Sequence, residues 1–268
     1  RKNTRKTQVY QGAYRSPGPV IIMSWDIDLN GETALVIGGT RNIGLSIAEA
    51  LQSAGASVCI VGGSDQTALE AALERLKASG DRSTGLIADI RNETAVSTMF
   101  ESCEKVFGPT SIVVNGPGFR PHAPFTDIDL ETWNAVLSTM LTGPFLTCRE
   151  FFRRLPTNRK GAIVNIGGLS AHRPAKDRAH VIAAKAGITG LTRALAVEGM
   201  GHIRANCVVP GLIDTQRKPD QPQAKFSDIE VNAHGTCEDV ARIVLSFASP
   251  HDTYVTGQTI HVSGGRYM

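Results

Sequence analysis

Residues 33–44 read TALVIGGTRNIG, a short apolar run followed at once by a glycine-rich turn. The residues after the turn, 43–53, have apolar side chains at helical spacing. In a β-α-β unit, glycines at such a turn let a phosphate group approach the backbone, and the helix N-terminus supplies N–H donors and positive potential. The stretch therefore predicts a dinucleotide-binding turn.

The alternation of apolar runs and helical patterns continues along the chain. Continuous apolar strands, each followed by an amphipathic helix, are typical of parallel strands buried on both faces. We therefore predict an α/β fold, a single Rossmann-type domain with a doubly wound parallel sheet of about seven strands and helices on both faces. The remaining strand candidates are 57–61, 83–87, 111–114, 162–166, 204–209 and 259–262, and the remaining helical patterns are 67–78, 92–107, 130–152, 175–198 and 237–248.

Charge is divided unevenly along the 268 residues. The net charge is +3, but residues 1–23 alone contribute +5 and contain no acidic residue, so the rest of the chain carries −2. We expect 1–23 to be a basic N-terminal extension, added upstream or disordered, and 24–268 to be the domain. Its slightly acidic charge favours neither nucleic acid nor a membrane surface as partner.

Cysteine usage and hydropathy limit the class of protein further. The five cysteines are scattered without metal-ligand spacing, which indicates a reduced compartment, the cytoplasm, and no metal site. No uncharged apolar run approaches the length that crosses a bilayer. The one long irregular stretch, 215–235, is polar, and irregular loops of that length are often functional lids, so we expect it to cover a pocket.

Candidate cofactor contacts follow the ends of several strands. Asp89, after the third strand, is placed to accept a hydrogen bond from an adenine amino group, and the backbone of 115–118 is placed close to a ribose. Each of these taken alone is equally compatible with an ordinary strand-end turn. The complete predicted cofactor set is Gly38, Thr40, Arg41, Asn42, Ile43, Gly44, Ser64, Asp89, Ile90, Asn115, Gly116, Lys185, Pro210, Gly211 and Ile213.

The end of the second strand favours NADP(H) over NAD(H). An NAD site places a carboxylate there to bind the ribose 2′-hydroxyl. Residues 61–64 read VGGS, and the first acid is Asp65. Arg41, in the phosphate-binding turn, offers a guanidinium to a 2′-phosphate. Asp65 still lies within possible reach of the ribose, so both cofactors stay open.

Ordered motifs over nearly the whole of 29–268 resemble the short-chain dehydrogenase/reductase family. That resemblance implies a nicotinamide cofactor, a small-molecule substrate, and a homodimer or homotetramer built on the helices near 130–152 and 180–198. The motifs that carry it are the 38–44 turn, Asp89, Val114-Asn115, Leu141-Thr142-Gly143, 163–166, Ala184-Lys185-Ala186, 190–196, Asn206, Pro210-Gly211, 256–258 and Gly264-Gly265.

The family's chemistry rests on an asparagine, a serine, a tyrosine and a lysine, and this chain keeps only the lysine, Lys185. In the family, tyrosine exchanges a proton with a carbonyl or alcohol oxygen, and lysine lowers the tyrosine pKa and binds the nicotinamide ribose. Serine holds the oxygen, and asparagine anchors a water relay. The matching positions here are Val181 for tyrosine, Gly168 for serine and Met140 for asparagine. The resemblance therefore implies a site from which the usual proton donor is missing.

Polar residues near the vacated positions are candidate replacements. Ser170 follows the fifth strand, and His180 immediately precedes Val181. A hydroxyl beside an imidazole is able to polarise a carbonyl, and histidine is a competent acid near neutral pH. We predict Lys185, Ser170 and His180 as catalytic residues. For Ser170 and His180 the alternative, a residue of the surface or of an interface between subunits, is equally compatible with the sequence. Weaker candidates are His172 and Arg178, and Arg120 and His122 as a clamp for an anionic substrate.

Two functions remain open at this stage. The first is an NADP(H)-dependent reductase of a carbonyl or conjugated double bond with a remodelled site, because some reductases of activated C=C bonds resemble this family yet carry the proton donor elsewhere. The second is a catalytically silent NAD(P)-binding protein, or a non-redox use of the fold. Loss of three of the four family residues favours the second, and the dense polar residues of 170–180 favour the first.

Overall fold

A computed structural model of the protein describes residues 27–215, 234–250 and 254–267. They form one parallel sheet with the strand order β3-β2-β1-β4-β5-β6-β7 and helices on both faces. This confirms the predicted fold class. The strands are β1 (Thr33–Ile37), β2 (Ser57–Gly62), β3 (Ser83–Ile87), β4 (Ile112–Asn115), β5 (Gly161–Ile166), β6 (Ile203–Pro210) and β7 (Thr259–Val262).

Helices connect successive strands and cover both faces of the sheet. Two apolar clusters, one on each side, bury β1, β4 and β5 completely and β2 from Val58 onward, so these central strands read as continuous apolar runs. The helices are α1 (Asn42–Ser53), α2 (Gln66–Ala78), α3 (Glu93–Phe107), α4 (Leu130–Leu137), α5 (Gly143–Arg154), α6 (Ala179–Glu198) and α7 (Cys237–Ala248).

Two of the predicted helices differ from the structure. The segment predicted as one helix over 130–152 consists of two helices, α4 and α5, joined by a π-helical turn at Ser138–Thr142. A proline lies in the first turn of α5, directly after this π-helical turn. The predicted helix over 175–198 starts later, at Ala179, because Asp177 has a φ of +63°, which no α-helix accommodates. The four residues before Ala179 therefore belong to the loop that leaves β5.

The strand order reverses direction between β1 and β4, which pair with each other at the centre of the sheet. The loops that follow these two strands diverge to opposite faces and leave a crevice at the carboxyl edge, where open α/β sheets bind their ligands. The glycine-rich turn, predicted to bind a phosphate, follows β1 and the 115–118 loop follows β4, so both flank this crevice.

Some sequence predictions fall on parts of the chain that lie outside the described residues. These include the basic extension 1–23 and residues 216–233 of the predicted lid. The two ends of that lid segment are described and lie side by side, because Ile213 bridges Gly235 and the Asp214 amide donates to the Gly235 carbonyl at 2.8 Å. Within the described ranges, no helix combines the length and the apolar character needed to pass through a membrane.

Candidate active site

The turn after β1 is built for close approach of a ligand to the backbone. Gly38 has a φ of +76°, and a Cβ there would lie 2.5 Å from the carbonyl oxygen of Gly116. A Cβ on Gly44 would lie 2.0 Å from the Gly38 carbonyl oxygen. Asn42, which stands where the family has glycine, has a φ of +48°, and asparagine is among the few side chains that tolerate it. The turn thus keeps its geometry despite the substitution.

A cavity of about 510 Å³ opens at the carboxyl edge of the sheet, between the turn and the loops after β4, β5 and β6. Ten of the fifteen predicted cofactor residues line it. They are Gly38, Arg41, Asn42, Ile43, Gly44, Gly116, Lys185, Pro210, Gly211 and Ile213. A side chain at position 38 or 44 would fill the space beside the backbone, and glycine leaves that space open. Gly38 and Gly44 therefore form a cradle that fits the pyrophosphate of a dinucleotide.

Lys185 lies on α6, and its Nζ donates a 2.7 Å hydrogen bond to the carbonyl oxygen of Ile166 at the end of β5. The residue is buried in the cavity wall. Burial, helped by the charge of Arg120, lowers the pKa of Lys185 from 10.5 to about 8. The ammonium is therefore held at the junction between the cofactor cradle and the rest of the cavity in a form that loses its proton readily.

The positions that match the family's serine and tyrosine also line the cavity, as Gly168 and Val181. A Cβ on Gly168 would lie 3.2 Å from Cγ of Lys185, so the missing side chain leaves room for the lysine stem. Val181 packs in a small apolar cluster with Val136 and Met140. Met140 is the buried residue of the π-helical turn. No tyrosine is among the described residues that line the cavity.

Arg41 and Asp65 form an ion pair beside the end of β2. Asp65 is also the N-cap of α2, where its Oδ1 accepts a 2.9 Å hydrogen bond from the amide of Ala68. Both side chains are about half exposed. The two residues that the sequence offers for discriminating a 2′-phosphate from a 2′-hydroxyl thus contact each other.

Five predicted cofactor residues are not among those that line the cavity: Thr40, Ser64, Asp89, Ile90 and Asn115. The carboxylate of Asp89 is held in a two-point contact by Arg91, which lowers its pKa by hydrogen bonding. The Asn115 side chain points into the core and donates to Oδ1 of Asn165 at 2.9 Å. The Asn115 side chain thus links β4 to β5. Because this side chain is buried in the core, only the backbone of Asn115 is available for a cofactor contact.

The predicted catalytic residues are placed differently from one another. Ser170 lies in a short 3₁₀ turn after β5 and lines the cavity, as does Lys185. His180 is fully buried in the first turn of α6 and is not among the lining residues. Neither of its ring nitrogens bonds to a described residue, and burial lowers its pKa. Its catalytic role stays a prediction.

Of the weaker candidates, Arg120 and Arg178 line the cavity, whereas His122 and His172 do not. The ring of His172 instead packs against His261 of β7, with ring centroids 4.4 Å apart, and against Tyr267 at 5.4 Å. This cluster ties the loop after β5 to the C-terminal segment. His172 is therefore a packing residue between the loop after β5 and the C-terminal segment.

Arg266, which lines the cavity from the segment after β7, was not predicted from the sequence. The available signal was its position directly after the Gly264-Gly265 pair, at the carboxyl end of a parallel strand. All carboxyl ends of parallel strands meet at one edge, so charged residues just beyond them are candidates for the site.

Comparisons with known proteins agree with this arrangement. Residues 38–266 match the family model described as enoyl-(acyl carrier protein) reductase. The 3-oxoacyl-[acyl-carrier-protein] reductase FabG of Aquifex aeolicus is 33% identical over 247 residues, which is 90% of this chain and 100% of that protein. FabG of Pseudomonas aeruginosa is 34% identical over the same shares.

Solved structures extend the similarity to the fold. A Serratia marcescens short-chain dehydrogenase/reductase mutant superposes with a TM-score of 0.81 at 27% identity, covering 88% of this chain and 98% of that one. A short-chain oxidoreductase from Pseudomonas aeruginosa, described as containing an atypical catalytic center, has a TM-score of 0.80 at 29% identity, covering 89% and 98%. With the parallel sheet, the glycine cradle and Lys185 in place, the chain belongs to the short-chain dehydrogenase/reductase family of NAD(P)-dependent oxidoreductases.

Proposed function

We propose that the protein is an NADP(H)-dependent reductase of a carbonyl or conjugated double bond whose active site works without the family's tyrosine. One observation carries the proposal: a single cavity runs from the glycine cradle at Gly38 and Gly44 to the buried ammonium of Lys185 and the hydroxyl of Ser170. A nicotinamide ring placed by the cradle would thus adjoin groups that bind its ribose and a substrate oxygen.

The choice of NADP(H) is supported by the charges beside β2. Gly62, Gly63 and Ser64 supply no carboxylate at the tip of the strand, whereas Arg41 lies both in the turn and in the cavity wall. A 2′-phosphate would replace Asp65 as the partner of the Arg41 guanidinium, and a doubly charged phosphate is the stronger acceptor. The FabG relatives, named as reductases, are consistent with this direction of chemistry.

When bound, the cofactor would supply a hydride to the electron-poor carbon of the substrate, and a proton taken up from solvent would complete the reduction. The chain's residues bind and orient the reactants. The backbone around Gly38 and the N-terminus of α1 would hold the pyrophosphate, and Lys185 would bind the nicotinamide ribose. Ser170 is placed to donate a hydrogen bond to the substrate oxygen, which draws electron density from the reacting carbon.

A second function, cofactor binding without turnover, is favoured by Val181 and Gly168. Neither side chain exchanges a proton, and both occupy the wall at which the family places its acid and its oxygen-binding group. The two functions make the same prediction for nucleotide binding and opposite predictions for turnover.

We further propose that the protein is a cytoplasmic homodimer or homotetramer, assembled on α4, α5 and α6. Leu130, Phe145 and Val197 on these helices expose large apolar side chains to solvent, with Leu130 72% and Val197 65% exposed. Sedimentation velocity of the wild type and of Leu130→Glu tests this, and a wild type that sediments as a monomer would contradict it.

The reductase proposal is tested by binding and turnover together. NADPH and NADH are titrated by fluorescence, and carbonyl and enone compounds are then screened for loss of NADPH absorbance with wild type, Lys185→Ala and Ser170→Ala. Lys160→Ala is a matched control, because Lys160 also donates to a backbone carbonyl, that of Gly201 at 2.6 Å, but outside the cavity lining.

We expect NADPH to bind more tightly than NADH, and turnover to fall in the Lys185 and Ser170 variants but not in the control. Tight NADPH binding without turnover of any substrate would instead establish the second function. Activity unchanged in Ser170→Ala would remove that hydroxyl from the mechanism.

A further inference from the structure

Four arginines that do not belong to the glycine-rich turn line the cavity. Arg120 follows β4, Arg173 and Arg178 come from the loop between β5 and α6, and Arg266 follows β7. They converge from three separate connections onto one space. Among the described residues that line the cavity there is no aspartate or glutamate.

Two of the arginines, Arg120 and Arg178, lie close enough to neighbouring titratable groups to lower their pKa. The charge of Arg120 helps to lower the pKa of Lys185, which places this guanidinium near the ammonium. The pKa of His122 is lowered by burial and then by the charges of Arg178 and Arg120, so these two guanidiniums lie near the same imidazole. Asp177 acts on His122 in the opposite direction but is not a lining residue.

The cofactor's own phosphates do not account for these four side chains. The pyrophosphate fits the cradle at Gly38 and Gly44, and a 2′-phosphate fits Arg41, both on the segment between β1 and α1. Arg120, Arg173 and Arg178 instead follow β4 and β5, on the side of Ser170 and Lys185 where a substrate would lie. The guanidinium of Arg173 makes no ion pair with any described residue.

We propose that the substrate of this site carries an anionic group, a carboxylate or a phosphate, which is bound by Arg120, Arg173, Arg178 and Arg266. The inference rests on the proposed reductase function and names its substrate class. Guanidinium groups match both anions in two-point hydrogen bonding. A bound anionic group also holds the reacting carbon in a fixed orientation beside Ser170, a task that the family assigns partly to tyrosine.

Two matched pairs of probes test the substrate class by turnover. The carboxylate 4-oxopent-2-enoate is compared with its neutral methyl ester, and dihydroxyacetone phosphate is compared with dihydroxyacetone. We expect at least one charged member to have a kcat/KM roughly tenfold or more above that of its neutral partner, since hydrogen bonds to charged groups are the stronger ones. The pair that shows the difference identifies the anion as carboxylate or phosphate.

Anion binding is measured separately, without turnover. Succinate and inorganic phosphate are titrated into the full chain, and binding is measured by calorimetry. If the protein binds NADP⁺, it is first saturated with NADP⁺; if it does not, the protein is titrated without a nucleotide. The variants are Arg173→Gln and Arg178→Gln, and Arg75→Gln is the control because Arg75 pairs with Glu49 on the surface, away from the cavity. We expect each cavity variant to weaken binding of one anion by about tenfold, and the control to leave it unchanged.

The readouts separate failure of the inference from failure of the proposed function. If NADPH reduces the neutral and charged probes equally and neither anion binds, the substrate class is wrong while the reductase stands. If NADPH is not bound or not oxidised but the anion binds and depends on Arg173, the reductase function fails and the anion site stands. Anion binding that Arg173→Gln and Arg178→Gln leave unchanged overturns the inference in every case.

Discussion

Nζ of Lys185 donates its 2.7 Å hydrogen bond to the backbone carbonyl oxygen of Ile166, the last residue of β5. The bond fixes the lysine across the gap between α6 and the carboxyl edge of the sheet. It does so beside Gly168, where a side chain would press against the lysine stem. The ammonium is thereby held in the cavity wall although Val181 and Gly168 stand at the positions that match the family's tyrosine and serine.

The depressed pKa of Lys185 predicts a specific dependence of stability on pH. Its pKa in the folded protein is about 8, against 10.5 as the reference value. Between these values the unfolded chain binds the proton more strongly, so the free energy of unfolding rises with pH. Relative to Lys185→Met, the wild type should gain about 2 to 3 kcal/mol between pH 7 and pH 10.

Chemical denaturation of both proteins across this pH range measures the effect. The Met variant keeps the length of the side chain and lacks the titrating group. Parallel stability curves for the two proteins would show that the lysine is not shifted as described.

The pair Arg41 and Asp65 predicts an effect on cofactor choice. Asp65→Asn keeps a side-chain oxygen that caps the N-terminus of α2, but it removes the negative charge that pairs with the Arg41 guanidinium. We expect NADPH to bind roughly three- to tenfold more tightly, in line with the modest energy of half-exposed ion pairs, and NADH to bind no better. Arg41→Ala should weaken NADPH more than NADH, measured by the same fluorescence titration. Equal changes for both cofactors would contradict a 2′-phosphate contact.

The turn geometry predicts opposite effects for two glycine-to-alanine changes. Gly44→Ala places a Cβ against the Gly38 carbonyl oxygen, so the turn must shift. We expect a loss of about 3 kcal/mol or more of stability together with loss of nucleotide binding. Gly190→Ala lies in the interior of α6 with nothing within 4 Å of its Cβ, and should stabilise the protein by about 0.5–1 kcal/mol. Thermal unfolding and NADPH titration of both variants provide the comparison.

Burial of His180 predicts sensitivity to acid. Because its pKa in the folded protein is lowered from 6.5, the unfolded chain takes up the proton first as the pH falls through that value, and stability is lost. His180→Leu should remove this part of the acid sensitivity, up to about 1.4 kcal/mol per pH unit. Unfolding of both proteins at pH 7, 6 and 5 measures it.

The same variant tests the predicted catalytic role of His180. A fall in kcat of about a hundredfold with NADPH binding retained would support proton transfer by this imidazole. Unchanged kcat would leave His180 as a buried packing residue in the first turn of α6.

The strands and helices were largely accessible from the sequence because their signals are local. The apolar run 33–37 and the helical spacing of 237–248 match β1 and α7 residue for residue. The breaks at 138–142 and at Asp177 were not predicted. A π-helical turn leaves the apolar spacing almost unchanged, and a single positive φ leaves no compositional mark.

The site was predicted in part for the same reason. Gly38, Gly44 and Lys185 stand in ordered motifs, and all three line the cavity. The orientation of Asn115 into the core and the burial of His180 away from the lining depend on which neighbours pack around them, and those neighbours are distant in sequence.

By itself the sequence determined the family, the parallel sheet and the position of the glycine-rich turn after β1, since each rests on residue types in a fixed order along the chain. Only the tertiary structure decided that Arg41 contacts Asp65 and that Lys185 bonds to Ile166. It also decided that Arg120, Arg178 and Arg266 face one cavity. Parallel topology brings the carboxyl ends of all strands to one edge, so residues up to 146 positions apart in the chain meet there through long-range packing that no local pattern records.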